Sequence, residues 1–392
     1  MTPAGSATPS MAFRRGGLSG GDLRVRPSST LTEFTALTAD EQAGFGPLME
    51  DPHLYGVWRD DRGTLKVVDH EAAQLLALLQ HPRPAADLPA DEPSLTRLVL
   101  DGVLEVRLRG DFVSGSRVFE TLCEPGWFPD ATTATARLSR EALQYADQLM
   151  LRDARRLSAR LYFYGRIPLS PAWLEKFPDR DSVAHFVGAA GRGATARRLQ
   201  QWKQVAPDPN NDGWLTWANR SASSVSRSDR YKLYVSPQPE HSPAGFAAAV
   251  EAAHDVGAVA LKVSRDAAGL LRPDKIVVYL SDIESLTSAA ATAATRLRGC
   301  RGQGVPFTAD FDDSGGLLSW GVDPPPSEGL IGWQERESWR LWITNRLATS
   351  LVAARHDGGN VEPWRFAAAR VELDGVDTST WALRGDPWGD EE

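Results

Sequence analysis

The sequence predicts an α+β protein: a small winged-helix-like amino-terminal domain, then a mixed sheet flanked by helices. Three observations predict it. Residues 54–68 hold two alternating segments across a turn, followed by two short stretches with helical spacing. Residues 231–280 hold three strand-like runs, and amphipathic stretches at 283–298 and 338–355 supply helices to cover such a sheet.

The chain's 392 residues leave room for two or three domains, and 42% hydrophobic residues suffice for sizeable cores. A net charge of −8, with no face-sized basic run to offset it, argues against a nucleic-acid partner. No apolar run reaches membrane-spanning length, and Met1–Gly5 lacks the apolar core of a signal peptide, so the expectation is a cytoplasmic protein with no membrane partner. Two cysteines, Cys123 and Cys300, are too few for a zinc site and are expected as free thiols in that compartment. Thirteen tryptophans fit large aromatic cores or a surface that holds something amphipathic.

In chain order, residues 1–30 are rich in Gly, Ser, Pro and Arg without apolar periodicity, and are expected to be disordered. Leu54–Trp58 and Thr64–Val68 flank the turn Arg59–Gly63 as a hairpin does. Helical spacing follows at Glu71–Leu79 and Pro93–Leu100, then strands at Gly102–Arg107 and Asp111–Val113 around Gly110. A recognition helix would want Arg or Lys where Asp69 and Glu71 stand, which removes a DNA-binding reading. Residues 45–115 resemble the leader-binding elements, related to the small PqqD fold, that accompany enzymes modifying ribosomally made peptides. The resemblance implies binding of a leader peptide as an added strand. This domain is set at 31–125.

Apolar spacing predicts one helix over Ser139–Leu157, with a turn region at Ala159–Leu169. Gly188–Arg198 is glycine-rich but lacks a Gly-Lys-Ser/Thr ending and a preceding strand, so it is not read as a phosphate loop. Pro207–Gly213 is a loop by composition. In Tyr231-Lys232-Leu233-Tyr234-Val235-Ser236 the period of two puts Lys232 and Tyr234 on one face. Ala258–Val263 is a strand whose one cation, Lys262, comes at its end, and Arg272 precedes the run Ile276–Leu280. Ile283–Arg298 reads as an alanine-rich helix, and Leu317–Pro325 as a strand stopped by prolines. Ser338–Arg355 reads as a helix with Trp339, Trp342, Leu347 and Leu351 on its apolar side and Arg340 and Arg346 elsewhere. The acidic tail after Trp381 is expected to fray.

The run 231–236, Leu261-Lys262-Val263 and Arg272–Leu280 together resemble the phosphothreonine lyases of bacterial secretion systems, the HopA-type effectors, and the lyase domains of class III and IV lanthipeptide synthetases. Outlying landmarks agree: Arg160–Arg166 with Pro168-Leu169, Pro306-Phe307-Thr308, Asp323-Pro324-Pro325 and Ser338-Trp339-Arg340. The resemblance covers residues 150–355 and implies a phosphothreonine-lyase-like domain, set at 135–385. It implies Lys262 as the base, Lys232 and Arg272 as phosphate ligands, and Arg340 or Arg346 completing the clamp. Where the family has Lys-x-His, this chain has Lys232-Leu233-Tyr234, so Tyr234, or nearby His241, stands in for the acid.

The chemistry supports that assignment independently. Eliminating phosphate from phosphoserine or phosphothreonine requires a base for the α-proton, cations around the phosphate and help for the leaving oxygen. A lysine serves as base once burial and neighbouring cations lower its pKa. The resulting expectation is a carbon–oxygen lyase with no cofactor and no metal. It would make dehydroamino acids in a ribosomally made precursor peptide, with a separate kinase-like protein and a cyclase as partners. Two other classes stay open: a non-catalytic precursor-binding scaffold, and a thioether cyclase.

Overall fold

The computed structural model describes residues 23–61, 65–80, 92–122, 130–206, 213–220, 231–311, 314–324 and 337–385. In chain order the first elements are β1 (Leu23–Val25), β2 (Thr30–Glu33), α1 (Ala39–Phe45), β3 (Leu54–Arg59), β4 (Leu65–Asp69), α2 (His70–Gln80), α3 (Glu92–Leu100), β5 (Leu104–Leu108), β6 (Asp111–Val113) and α4 (Phe119–Leu122). Five helices follow, α5 (Ala134–Gln148), α6 (Ala154–Tyr162), α7 (Pro171–Lys176), α8 (Arg180–Phe186) and α9 (Ala194–Leu199). The next segment runs β7 (Lys203–Gln204), β8 (Trp214–Ala218), β9 (Tyr231–Val235), α10 (Ser242–Asp255), β10 (Ala260–Ser264), α11 (Ala267–Leu270), β11 (Ile276–Leu280) and α12 (Ile283–Arg296). The chain closes with β12 (Ala309–Asp310), β13 (Leu318–Val322), α13 (Trp339–Asp357), α14 (Pro363–Leu373), β14 (Val376–Asp377) and β15 (Ala382–Leu383). The protein is thus mixed α+β, and among the described residues no helix is long and apolar enough to cross a membrane.

Two compact units divide the chain, and neither is one continuous stretch. Residues 1–129, 326–336 and 346–374 form the first, and residues 130–325, 337–345 and 375–392 the second. Helix α13 contributes to both, with Trp339–Asn345 in the second unit and the rest in the first. Boundaries set at 31–125 and 135–385 from sequence miss this return of the chain. A contiguous reading could not foresee that Ala354, Phe366 and Ala369 join Trp58, Leu75, Leu76, Val99 and Leu104 in the first unit's core.

The first unit holds two three-stranded antiparallel sheets, β1-β5-β6 and β2-β3-β4. Thr38 and Glu41 start α1 with a reciprocal capping box. Residues 23–33, expected to lie in or beside the disordered tail, are strands: Leu23–Val25 pairs with Leu104–Val106, and Thr30–Glu33 with Gly56–Arg59. The rest of that expected tail, residues 1–22, lies outside the described residues, as do Cys123 and residues 386–392.

The second unit is built on a seven-stranded antiparallel sheet in the order β12-β13-β9-β11-β10-β8-β7. Its central strands β9, β10, β11 and β13 are largely apolar, β11 mainly β-branched, with the period of two that separates the faces. On one face Leu233, Val235, Leu261, Val263, Ile276, Val278 and Leu280 pack with Phe246, Ala249 and Ala253 of α10 and Leu286, Ala289 and Ala293 of α12. That leaves the other face for polar chemistry. The single helix expected over 139–157 is two, α5 and α6. The chain turns at Met150, whose φ of +52° no helix accommodates. Helical geometry resumes at Ala154, where Asp153 caps α6 by accepting from the Arg156 N–H, and it runs on to Tyr162 through residues read as a turn. At the other end, Ala382 and Leu383 do not fray but pair with Val376 and Asp377.

Candidate active site

Strand register gathers the sequence-predicted residues on the polar face of the second unit's sheet. Lys262 of β10 stands opposite Val277 of β11, which stands opposite Tyr234 of β9, and Tyr234 opposite Ser319 of β13. In the next row Ala260, Tyr279, Lys232 and Gly321 are aligned the same way. Cross-strand partners share a face, so Lys232, Tyr234, Lys262 and Tyr279 belong to one surface. Lys262, expected to close its strand, sits at the strand's centre.

The two lysines have different surroundings. The Tyr279 ring lies between them, its centre 5.1 Å from the Lys232 Nζ and 5.3 Å from the Lys262 Nζ. Lys232 is buried and forms a 2.5 Å salt bridge to Asp323, whose other oxygen accepts the Trp339 N–H at 2.8 Å. Among the described residues Lys262 has no such carboxylate. Its Nζ instead lies 4.2 Å from the centre of the Trp214 ring. Burial pushes the Lys262 amine below the ordinary lysine range; Tyr162 and Asp274 oppose that shift, and Arg272 adds to it.

Arg272 follows α11 and is gripped from one side. Its Nε and Nη2 each donate to Asp274 at 2.8 Å, while its guanidinium lies 5.2 Å from the Trp214 ring and 5.3 Å from the Phe163 ring. Asp274, 4% exposed, also accepts from Arg340 Nη1 at 2.8 Å. Burial works against the Asp274 anion, but Arg340 and Arg272 prevail and hold its carboxyl far below the usual carboxylate range.

Arg340 is not on the exposed side of its helix, as the pattern of α13 predicted. It is 1% exposed, and its burial is possible because each of its three nitrogens has an acceptor. Nε donates to the Pro306 carbonyl at 3.2 Å, Nη2 to the Tyr162 carbonyl at 2.6 Å and Nη1 to Asp274. The scattered landmarks of the sequence thereby converge on one side chain. Around it, Trp339 Nε1 donates to the Phe307 carbonyl, and a Cβ at Gly321 would meet the Trp339 ring at 2.2 Å, so only glycine leaves that ring its seat.

Tyr234 is buried with Val277 and Val305. Burial and the nearby Asp323 carboxylate push its phenol well above the ordinary tyrosine value, so it holds its proton. Arg346 belongs to the first unit, where its Nε lies 3.5 Å from Asp374. His241 is exposed in the turn before α10, the helix on the apolar face, and among the described residues it has no contact with the site. Sequence reasoning did not single out Asp274, Asp323, Tyr162, Trp214 and Tyr279 as site members. The spacing Arg272-Pro273-Asp274 was the one local signal, a carboxylate within reach of its own arginine. Among the described residues no group of three or more His, Cys, Asp or Glu is placed to hold a metal ion.

No protein-family model matches the sequence, and no curated protein matches it. Among solved structures, an effector protein from Pseudomonas syringae pv. syringae strain 61 is similar over 65% of this chain and 100% of its own, at 13% identity and a TM-score of 0.39. The type III effector and phosphothreonine lyase OspF from Shigella flexneri is similar over 43% of this chain and 90% of its own, at 11% identity and a TM-score of 0.25. For SpvC, a phosphothreonine lyase effector from Salmonella, the values are 53%, 98%, 11% and 0.25.

Proposed function

We propose that the second unit is a carbon–oxygen lyase that eliminates phosphate from a phosphoserine or phosphothreonine side chain. One observation carries the reading. Two lysines share the Tyr279 ring, yet among the described residues only Lys232 has a carboxylate partner, while Lys262 is covered by aromatic faces and pushed toward its neutral form. A cation for an anion and an amine for a proton are what the elimination requires.

In this reading the neutral Lys262 amine takes the α-proton, and the C–H electron pair forms the Cα=Cβ bond. The Cβ–O bond breaks and its electrons leave with the phosphate, which Lys232 and Arg272 neutralise. Arg340 works at one remove: it holds Asp274, which aims Arg272. Tyr234 donates a hydrogen bond to the leaving group rather than a proton, since burial holds the phenolic proton in place. Cationic neutralisation then supplies what the family's histidine would, because phosphate leaves as a stable anion.

The substrate proposed is a ribosomally made precursor peptide phosphorylated by a separate kinase in the cytoplasm. The first unit, proposed as a winged-helix-like leader-binding element, would take the leader as an added strand, and a cyclase would consume the dehydroamino acid. A second reading, a non-catalytic precursor-binding subunit, is favoured by the single fact that a proton-retaining tyrosine stands where the family has an acid. The test is phosphate release, paired with mass analysis, on a phosphothreonine peptide and on the phosphorylated precursor. Release of phosphate with formation of the dehydro product supports the lyase. A rate equal to buffer on both substrates leaves the scaffold or the cyclase.

A further inference from the structure

The chain carries more acid than base, 51 Asp and Glu against 43 Lys and Arg, yet residues 152–166 hold five arginines and one carboxylate. These are Arg152, Arg155, Arg156, Arg160 and Arg166, all exposed, with Asp153 as the acid. Helix α6 itself has three of the arginines and no acidic residue, and its buried side is Leu157, Ser158 and Leu161. Arg156 and Arg160 are one turn apart on the exposed side, and Phe163 continues that side at the end of the helix. Like charges at this spacing destabilise a helix by about 0.2–0.5 kcal/mol per pair. Among the described residues the ridge has one ion pair, Arg156 to Asp153 at 3.8 Å between two largely exposed side chains, which offsets little.

The ridge leads into the site. Phe163 is 42% exposed, and its ring lies 5.3 Å from the Arg272 guanidinium and 6.0 Å from that of Arg166. Its neighbour Tyr162 reaches Arg272 through its hydroxyl at 3.4 Å and Arg340 through its carbonyl. A chain seated with its phosphate at Arg272 and extended past Phe163 would therefore run along Arg160 and Arg156.

From the arginine ridge of α6 leading to Phe163 and Arg272, we infer a docking surface for acidic residues flanking the phosphorylated residue of the substrate peptide. This rests on the lyase reading for the seat of the phosphate, and it adds the substrate class: a peptide whose Asp, Glu or further phosphorylated residues lie within a few positions of the reacting one. The arginine fork suits carboxylate and phosphate alike. An extended peptide gains about 3.3 Å per residue, so two or three flanking residues reach from Arg272 along the helix.

The test is fluorescence anisotropy on the intact protein with three labelled phosphothreonine peptides: three glutamates before the phosphothreonine, three after it, or serines on both sides. Exposed pairs contribute about 0.2–1 kcal/mol each, so one glutamate peptide should bind about tenfold tighter than the serine peptide in low salt. That preference should collapse in about 0.5 M salt. In the Arg155→Gln/Arg156→Gln/Arg160→Gln variant, checked for unchanged circular dichroism, the preference should fall below about twofold while serine-peptide affinity holds. Equal affinity of all three peptides for the parent, or a preference that survives in the variant, overturns the surface. So does an oligonucleotide of equal charge binding as tightly as the glutamate peptide, which would assign the ridge to polyanions at large. Phosphate release is read in the same samples: a glutamate preference without release removes the lyase reading and leaves the docking surface standing, whereas release without the preference does the reverse.

Discussion

Replacing Asp274 by asparagine removes one charge and almost no volume, and the structure makes that charge the counter-ion of two arginines. Arg340 is 1% exposed and Asp274 4%, so the variant strands a guanidinium that water does not reach. Removing one partner of a buried pair costs about 3–5 kcal/mol; the amide keeps one acceptor oxygen, which places the expectation at about 3 kcal/mol. For a unit of this size that corresponds to a fall in Tm of about 6–12 °C, read by calorimetry or circular dichroism. The pH dependence has a definite sign. The carboxyl's pKa is depressed on folding, so its contribution is present above the unfolded value of about 3.9 and lost only as pH falls through the folded value. The gap between parent and variant should therefore be fully present at about pH 5, well above about 3.9, and narrow in strong acid; it should also shrink above pH 7, because Asp274 favours the charged forms of Lys262 and Lys275. Adding Arg340→Met to Asp274→Asn removes the stranded charge and should recover part of the loss. A Tm change under about 2 °C for Asp274→Asn, below the shift about 1 kcal/mol would give, would refute the claim that this carboxylate holds the arginine pair.

Three further outcomes are expected. Tyr234→Phe should slow elimination by about 2–10-fold, the net worth of one hydrogen bond, and Tyr234→His should keep or raise the rate; a loss beyond about 100-fold in the Phe variant would instead mark proton transfer. The pH profile of kcat/KM should rise to a plateau reached below the titration of free lysine at about 10.4, because the base acts in its neutral form, and Trp214→Leu should move the rise to higher pH by opening Lys262 to water; identical profiles would remove Trp214 from the account. Buried Lys275, whose Nζ donates to the Pro237 carbonyl and Gln303, has its pKa pushed down to about 7 by burial, so the unfolded chain binds more protons between that value and the ordinary one. Stability should thus rise with pH above 7, Lys275 contributing up to about 1.4 kcal/mol per unit, and urea midpoints of Lys275→Met should rise less steeply than the parent's; equal slopes would contradict it.

Lys232, Tyr234 and Lys262 were legible because a period of two is a local property and register did the rest. Arg340 was not. Its helix pattern assigns it to the outer side, and its burial depends on acceptors at Tyr162, Asp274 and Pro306, far away in sequence. Arg346 was offered as the alternative to Arg340 by the resemblance, and the unit boundary falls between Asn345 and Arg346, which no local pattern marks. The partner carboxylates were hidden for the same reason as Arg340: Asp323 meets Lys232 across 91 residues, and only register brings them together. Strand β1 is three residues long and exists through pairing with residues 104–106, so composition alone reads it as tail.

The central claim is that Lys262 is the base and Lys232 with Arg272 the anion clamp. It is tested most directly by measuring, for the parent and Lys262→Met, both phosphate release from a phosphothreonine peptide and the peptide's dissociation constant. The parent should release phosphate in step with the dehydro product, and Lys262→Met should bind the peptide within a few-fold of the parent, because the clamp is intact, yet release none. Undiminished release by Lys262→Met, or none by the parent, would contradict the assignment.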